Sequence, residues 1–174
     1  MTASNPSAID VSTLTGTWTL VPDQTSIEFH TKAVWVVKVK GTFKALEGSG
    51  TVAADGGVSG TIVVDAASVN TKNKKRDDHL RTADFFEVAT YPTLEFVVSD
   101  AQLSEAGQVL IPGSLTIHGV TKPVTFAADL SVSGDAATVS AEVDIDRSAW
   151  GLTWAKMGAG LANHVVIKAH FVKN

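Results

Sequence analysis

The chain contains no cysteine, so neither a disulfide framework nor thiol chemistry enters its reading. No stretch approaches about 18 consecutive apolar residues, the length a membrane-spanning helix needs, so integral membrane association is not expected. An excess of positive charge is missing too: 14 Lys and Arg stand against 18 Asp and Glu, a formal net charge of −4. That balance supplies no electrostatic attraction for nucleic acid or for an anionic membrane surface. The first residues lack the basic start, apolar run and small-residue cleavage pattern of a secretory signal, so a cytoplasmic location is expected. Helical periodicity is nearly absent. Also absent are Gly-x-Gly-x-x-Gly, the phosphate-binding loop Gly-x-x-x-x-Gly-Lys-Ser/Thr, and the nucleophile elbow Gly-x-Ser-x-Gly. Those gaps remove the commonest routes to nucleotide binding and hydrolysis.

What the chain does have is period-2 alternation of apolar and polar residues, the mark of strands with one buried face. With 174 residues and 44% hydrophobic content it has enough material for one domain with a sizeable core. Residues 1–15 read as a flexible polar leader and residues 16–174 as the domain. The clearest run is Ser26–Lys40. Ile27, Phe29, Thr31, Ala33, Trp35, Val37 and Val39 fall on one face, and Glu28, His30, Lys32, Val34, Val36, Lys38 and Lys40 on the other. At about 3.3 Å per residue this run would span roughly 50 Å, so a strongly curved strand, or two strands with a bend, is expected. Further strands are expected over Gly41–Ala54, over Val58–Val64 after the turn Asp55-Gly56-Gly57, and around Leu94, Phe96 and Val98. Val109–Ile117 is interrupted by Pro112-Gly113, which suggests a bulge or an edge. Val124–Val132, Thr138–Asp146 and His164–Lys173 complete about eight strands. A closed antiparallel barrel of eight strands, either filled by side chains or holding one small ligand, is favoured over a sandwich. Two segments break the alternation. Asn70–Tyr91 is polar, with Asp77 and Asp84 as candidate caps of short helical turns, and Trp150–Ala162 is rich in Gly and Trp. Both are expected at one barrel mouth.

Several short motifs, in this order and spacing, resemble the YceI-like family of polyisoprenoid-binding, lipocalin-like barrels. They begin with Trp18-Thr19-Leu20 with Asp23 and Ser26, then Gly41-Thr42-Phe43. Arg76-Asp77-Asp78-His79-Leu80 follows, with Asp84-Phe85-Phe86 and Tyr91-Pro92. The run Gly113–Val124, containing Ile117-His118-Gly119, and Asp146-Arg147-Ser148 with Trp150-Gly151 complete the set. The resemblance extends over about residues 17–174. It departs at Thr25-Ser26, where the family often has His-Ser, at Ala33, where a second histidine is common, and at Asn163-His164, where an acidic residue is common. What it implies is an extended barrel whose hydrophobic pore holds a long isoprenoid chain or similar lipid, for transport or storage, without cofactor or catalysis.

On that implication Ile27, Phe29, Trp35, Val37, Phe96, Phe126 and Val143 line the pore. Read as residues alone, the same set is an ordinary filled core. The basic stretch Lys74, Lys75, Arg76 with Arg81 is suited to a phosphorylated head group, since Arg offers a planar fork and Lys a point charge. A solvated charge run is the plainer alternative. His79, Trp154 and Met157 join these as candidates at the mouth. The five histidines show no chelating spacing within one strand, so no metal site is expected. Two other functions stay open: an enzyme acting on an isoprenoid lipid, with His79 or His118 as general acid or base, and a filled barrel whose outer face, including Val34 and Val36, binds a protein or forms a homodimer.

Overall fold

Each alternating run forms a strand, and the strands close on themselves. The computed structural model describes residues 9–31, 39–104, 106–155 and 160–174. Its strands are β1 (Gly16–Leu20), β2 (Ser26–Thr31), β3 (Val39–Val52), β4 (Gly57–Asn70), β5 (Thr93–Gln102), β6 (Gln108–Ile117), β7 (Val120–Ser133), β8 (Ala136–Asp146) and β9 (Ala162–Lys173), with one helix, α1 (Lys74–Leu80). Every pairing is antiparallel, and β3 pairs with β4 while β9 returns to β1 and β2. Strands β1 and β2 both lie between β3 and β9, so they share one position in the wall, interrupted by the 3-10 turn Pro22–Gln24. Nine segments therefore fill eight positions in chain order, which is an up-and-down barrel. Strands β3, β4 and β7 have 14 residues each and run about 46 Å, so the barrel is tall.

The run Ser26–Lys40 is not one curved strand. Thr31 pairs with Val39, so the chain reverses between them. The two residues are an even number apart, and the alternation therefore stays in phase across the reversal. Periodicity alone does not reveal such a change of strand. Pro112 marks neither an edge nor a register shift. It sits opposite Thr125 in an unbroken β6–β7 ladder, and the β5–β6 ladder ends beside it at the pair Val98 and Gly113. A residue without an N–H is tolerated where no neighbouring carbonyl calls for one.

The lower end of the barrel is packed shut. Leu14, Trp18, Val52 and Ala137 form a buried cluster, joined by Val58, Leu130 and Phe171. The indole N–H of Trp18 donates to the Leu14 carbonyl at 2.9 Å. Leu14 belongs to a 3-10 turn, Val11–Leu14, whose N-cap Asp10 accepts from Ser12 N. The flexible leader expected over 1–15 is thus too long at its C-terminal side, because Leu14 is part of the plug. A few apolar side chains suffice to pin a leader when a barrel end needs covering.

Trp18 is 5% exposed and central to this plug. Trp18→Ala is expected to destabilise the protein by about 3–5 kcal/mol, the usual cost of deleting a large buried aromatic side chain. Urea unfolding measures it, and a loss below about 1 kcal/mol would show that the lower end is not packed as described.

Candidate functional site

Above the plug the interior is open. A cavity of about 1010 Å³ occupies the half of the barrel nearer α1, at the upper end of the range for small-molecule sites. All eight wall positions contribute. Ile27 and Phe29 come from β2, Val39 and Phe43 from β3, Ile62 and Val64 from β4, and Leu94 and Phe96 from β5. Leu115 and Ile117 of β6, Phe126 of β7, Val143 and Ile145 of β8, and Val165 and Ile167 of β9 complete the ring. Many of these side chains point inward yet are only half-buried, among them Phe29, Phe43, Ile62, Phe96 and Val143. Inward residues lower in the barrel, such as Ala128, Ala137 and Ala169, are buried. The contrast rules out a filled interior.

Two glycines help to keep that space free. A Cβ at Gly41 would collide with the ring of Phe29, and one at Gly113 would collide with the ring of Phe96. Each ring lies against the bare backbone of a neighbouring strand instead of projecting across the pore. Phe29 then meets Phe43 at 5.5 Å between centroids, Phe43 meets Phe86 edge-on at 5.4 Å, and Phe96 meets Phe126 edge-on at 5.0 Å. Such edge-to-face contacts favour fixed ring positions.

The mouth is built from α1, the segment after it, and the turn after β8. Asn73 caps α1 by accepting from Arg76 N, so Asp77 is not the cap expected for this turn. Asp77 is buried within the helix and accepts from both the backbone N–H and the hydroxyl of Thr71, at 2.9 and 2.6 Å. Arg76 donates to the hydroxyl and carbonyl of the same Thr71. Arg81 donates to the carbonyls of Ala67 and Val69 and to Asp78, which straps the helix to β4. Asp84 is not a cap either: it bonds His79 at 2.8 Å. The His79 ring stands edge-on to Phe85 and Trp154, 5.2 and 4.6 Å away. Arg147 is 8% exposed, donates to the carbonyls of Leu152 and Gly160, and lies 5.2 Å from the centre of the Phe85 ring. Burial pulls its guanidinium below its ordinary pKa.

Of the seven pore residues expected from sequence, Ile27, Phe29, Phe96, Phe126 and Val143 line the cavity. Trp35 and Val37 lie outside the described residues, as do Val34 and Val36 of the outer face. Among the mouth candidates Lys75, Arg76, His79 and Trp154 border the cavity, whereas Lys74 and Arg81 do not, and Met157 lies outside the described residues. His118 is away from the cavity. It holds a positive φ in the β6–β7 turn, pairs with Glu87 at 3.0 Å and packs on Tyr91. Among the described residues no three His, Asp or Glu side chains converge as metal ligands. Sequence reasoning missed Phe43, Phe85, Phe86, Asn163 and Arg147 as lining residues. Phe43, Phe85, Phe86 and Arg147 stand inside the motifs quoted above, which was the available signal.

The YceI-like domain family matches residues 18–172. Protein YceI of Escherichia coli O157:H7 is 39% identical over 100 residues, covering 55% of this chain and 50% of that protein. Protein YceI of Salmonella arizonae is 38% identical over the same length. The chain spans about half the length of the curated relatives it matches. Among solved structures, BcnA of Burkholderia cenocepacia superposes with a TM-score of 0.73 at 24% identity, covering 89% of this chain and 99% of its own. A polyisoprenoid binding domain from Saccharophagus degradans superposes with 0.70 at 17% identity, covering 90% and 98%. At these identities the superpositions show a common fold.

On the outer wall below the mouth, His164 bonds Asp144 at 2.7 Å, with Glu142 at 3.5 Å. The bond to Asp144 is the main cause that raises its pKa above the ordinary 6.5. The folded state then holds this proton more tightly than the unfolded chain. The stabilisation is complete below the unfolded value and is lost as pH rises through the raised one. The stability gap between the parent and His164→Gln should therefore be wider at about pH 5.5 than at about pH 8.5. Equal gaps in thermal melts at both pH values would show that Asp144 does not hold the charged imidazole.

Proposed function

The chain belongs to the YceI-like domain family, and on that premise we propose that its barrel takes up one long apolar molecule, an isoprenoid or similar lipid, for carriage or storage. The observation that carries the reading is the apolar cavity walled by all eight strand positions. Burying one CH₂ contributes about 0.8 kcal/mol, so a few isoprene units offset the cost of ordering the ligand. The rim supports one orientation. Lys75, Arg76 and His79 stand at the mouth and hydrocarbon lines the depth, so the polar end of the ligand stays outermost. Binding without turnover is the reading favoured over catalysis. The pairs His79–Asp84 and His118–Glu87 fasten the mouth and a turn, and His118 does not border the cavity.

Val143 faces the cavity from β8 and is half-buried. Val143→Trp should fill part of the space and weaken a fluorescent prenyl probe at least tenfold while the circular dichroism stays that of the parent. Undiminished binding in the folded variant would place the ligand elsewhere.

The finer reading concerns the head group. Lys74 does not border the cavity and pairs with Asp78 at 3.8 Å, and Arg81 is bound to β4, which leaves Lys75 as the mouth cation with no hydrogen bond or ion pair among the described residues. Lys75→Glu should weaken a prenyl phosphate by about tenfold, the value of one charge-assisted hydrogen bond, and spare the prenyl alcohol of equal length. Lys74→Glu should leave both ligands unchanged. Equal affinities for both ligands in parent and Lys75→Glu would mean that the mouth does not read a phosphate.

A further inference from the structure

The cavity stops well short of the lower end of the barrel, and the residues at its floor are identifiable. Leu20, at the end of β1, is 3% exposed and belongs to a buried cluster with Ala45, Ala169 and the cavity-lining residues Ile27 and Val64. Phe171, paired with Leu20 across the β1–β9 ladder, packs against this cluster and also joins the plug around Trp18. Leu20 does not border the cavity, although residues in its own cluster do. It is therefore a large side chain lying directly beneath the lined space. Its neighbours Ala45 and Ala169 are small and cannot close over a gap if Leu20 is trimmed.

Resting on the reading above, we propose that Leu20 is the floor of a molecular ruler: it sets the longest chain that gains affinity by entering this barrel. The chain enters tail first, because the rim carries Lys75, Arg76 and His79 while the floor is hydrocarbon. The volume sets the scale. At roughly 30 Å³ for each ligand heavy atom, the share of a water molecule in its liquid, 1010 Å³ holds on the order of 30 carbon atoms. That corresponds to about six isoprene units. Shorter chains leave apolar wall uncovered, and each added unit then removes more hydrocarbon from water. Longer chains must leave their surplus at the mouth, where further length brings nothing.

Prenyl alcohols of three to about nine isoprene units, titrated against the intact protein by displacement of a fluorescent prenyl probe, test the proposal. In the parent, affinity should rise at least tenfold per unit up to about six units, and change less than about twofold per unit beyond. Leu20→Ala lowers the floor by about three carbon atoms and should extend the rise, so that the seventh unit adds about fivefold or more. Ala45→Leu raises the floor and should end the rise about one unit earlier. Thermal melts confirm that each variant is folded, and the opposed directions of the two shifts separate a moved floor from general loosening. A rise that continues to nine units in the parent, or a break at the same length in all three proteins, would overturn the ruler while leaving the carrier reading intact. Failure of every alcohol to displace the probe would overturn both.

Discussion

Closure of the sheet through the β3–β4 pairing is the constraint on which the rest of the structure depends. Once eight positions form a ring, every wall residue must face either the interior or solvent, and the interior has a fixed width. Whether that width is filled is decided by which side chains meet there. At the lower end Trp18, Leu14 and Phe171 meet and pack. At the upper end Phe29 and Phe96, which are large enough to cross the pore, lie against the backbone at Gly41 and Gly113. The cavity follows from that arrangement. The alternation of the strands makes its walls apolar, and the two-residue turn His118-Gly119 lets β6 and β7 pair up to the rim.

The open end needs a different solution, because a mouth exposes backbone that strands can no longer pair. The chain answers with polar side chains used as fasteners. Thr71 donates to Asp77 and accepts from Arg76, Arg81 ties α1 to two carbonyls of β4, and Arg147 satisfies carbonyls of the turn after β8 from a position that is 8% exposed. Removing a guanidinium from water is costly unless its donors are used, and carbonyl contacts with the Phe85 face supply partners here. The result is a rim in which most of the cations have structural work, and the charge left for a ligand is small. In the proposed carrier, apolar burial carries the affinity and the few remaining charges at the mouth add selectivity.

Much of this is legible in the sequence. The alternating runs gave the strands and their closed antiparallel arrangement, and Ile27, Phe29, Phe96, Phe126 and Val143 emerged as lining residues because they are the large members of inward faces. For Ser26–Lys40 two strands with a bend were one open reading, but the antiparallel pairing of Thr31 with Val39 was not legible, since a change of strand that preserves parity leaves no trace in a period-2 pattern. Nor was the distinction between Lys75 and its neighbours. Lys74, Lys75, Arg76 and Arg81 are basic residues of one segment, and only the cap at Asn73 and the carbonyls of β4 decide which of them faces the opening. Leu14 was missed because an isolated apolar residue in a polar leader has no period to betray it. The open interior is the deepest case: a filled core and a lined cavity share one pattern, and the resemblance to the family, not the alternation, favoured the cavity.

Native mass spectrometry of the freshly purified protein, followed by extraction of whatever it releases, tests the central claim most directly. One molecule per chain is expected, lost on denaturation and identified as a single-chain lipid with a small polar end. A protein that carries no such molecule, and still carries none after incubation with prenyl alcohols, would contradict it.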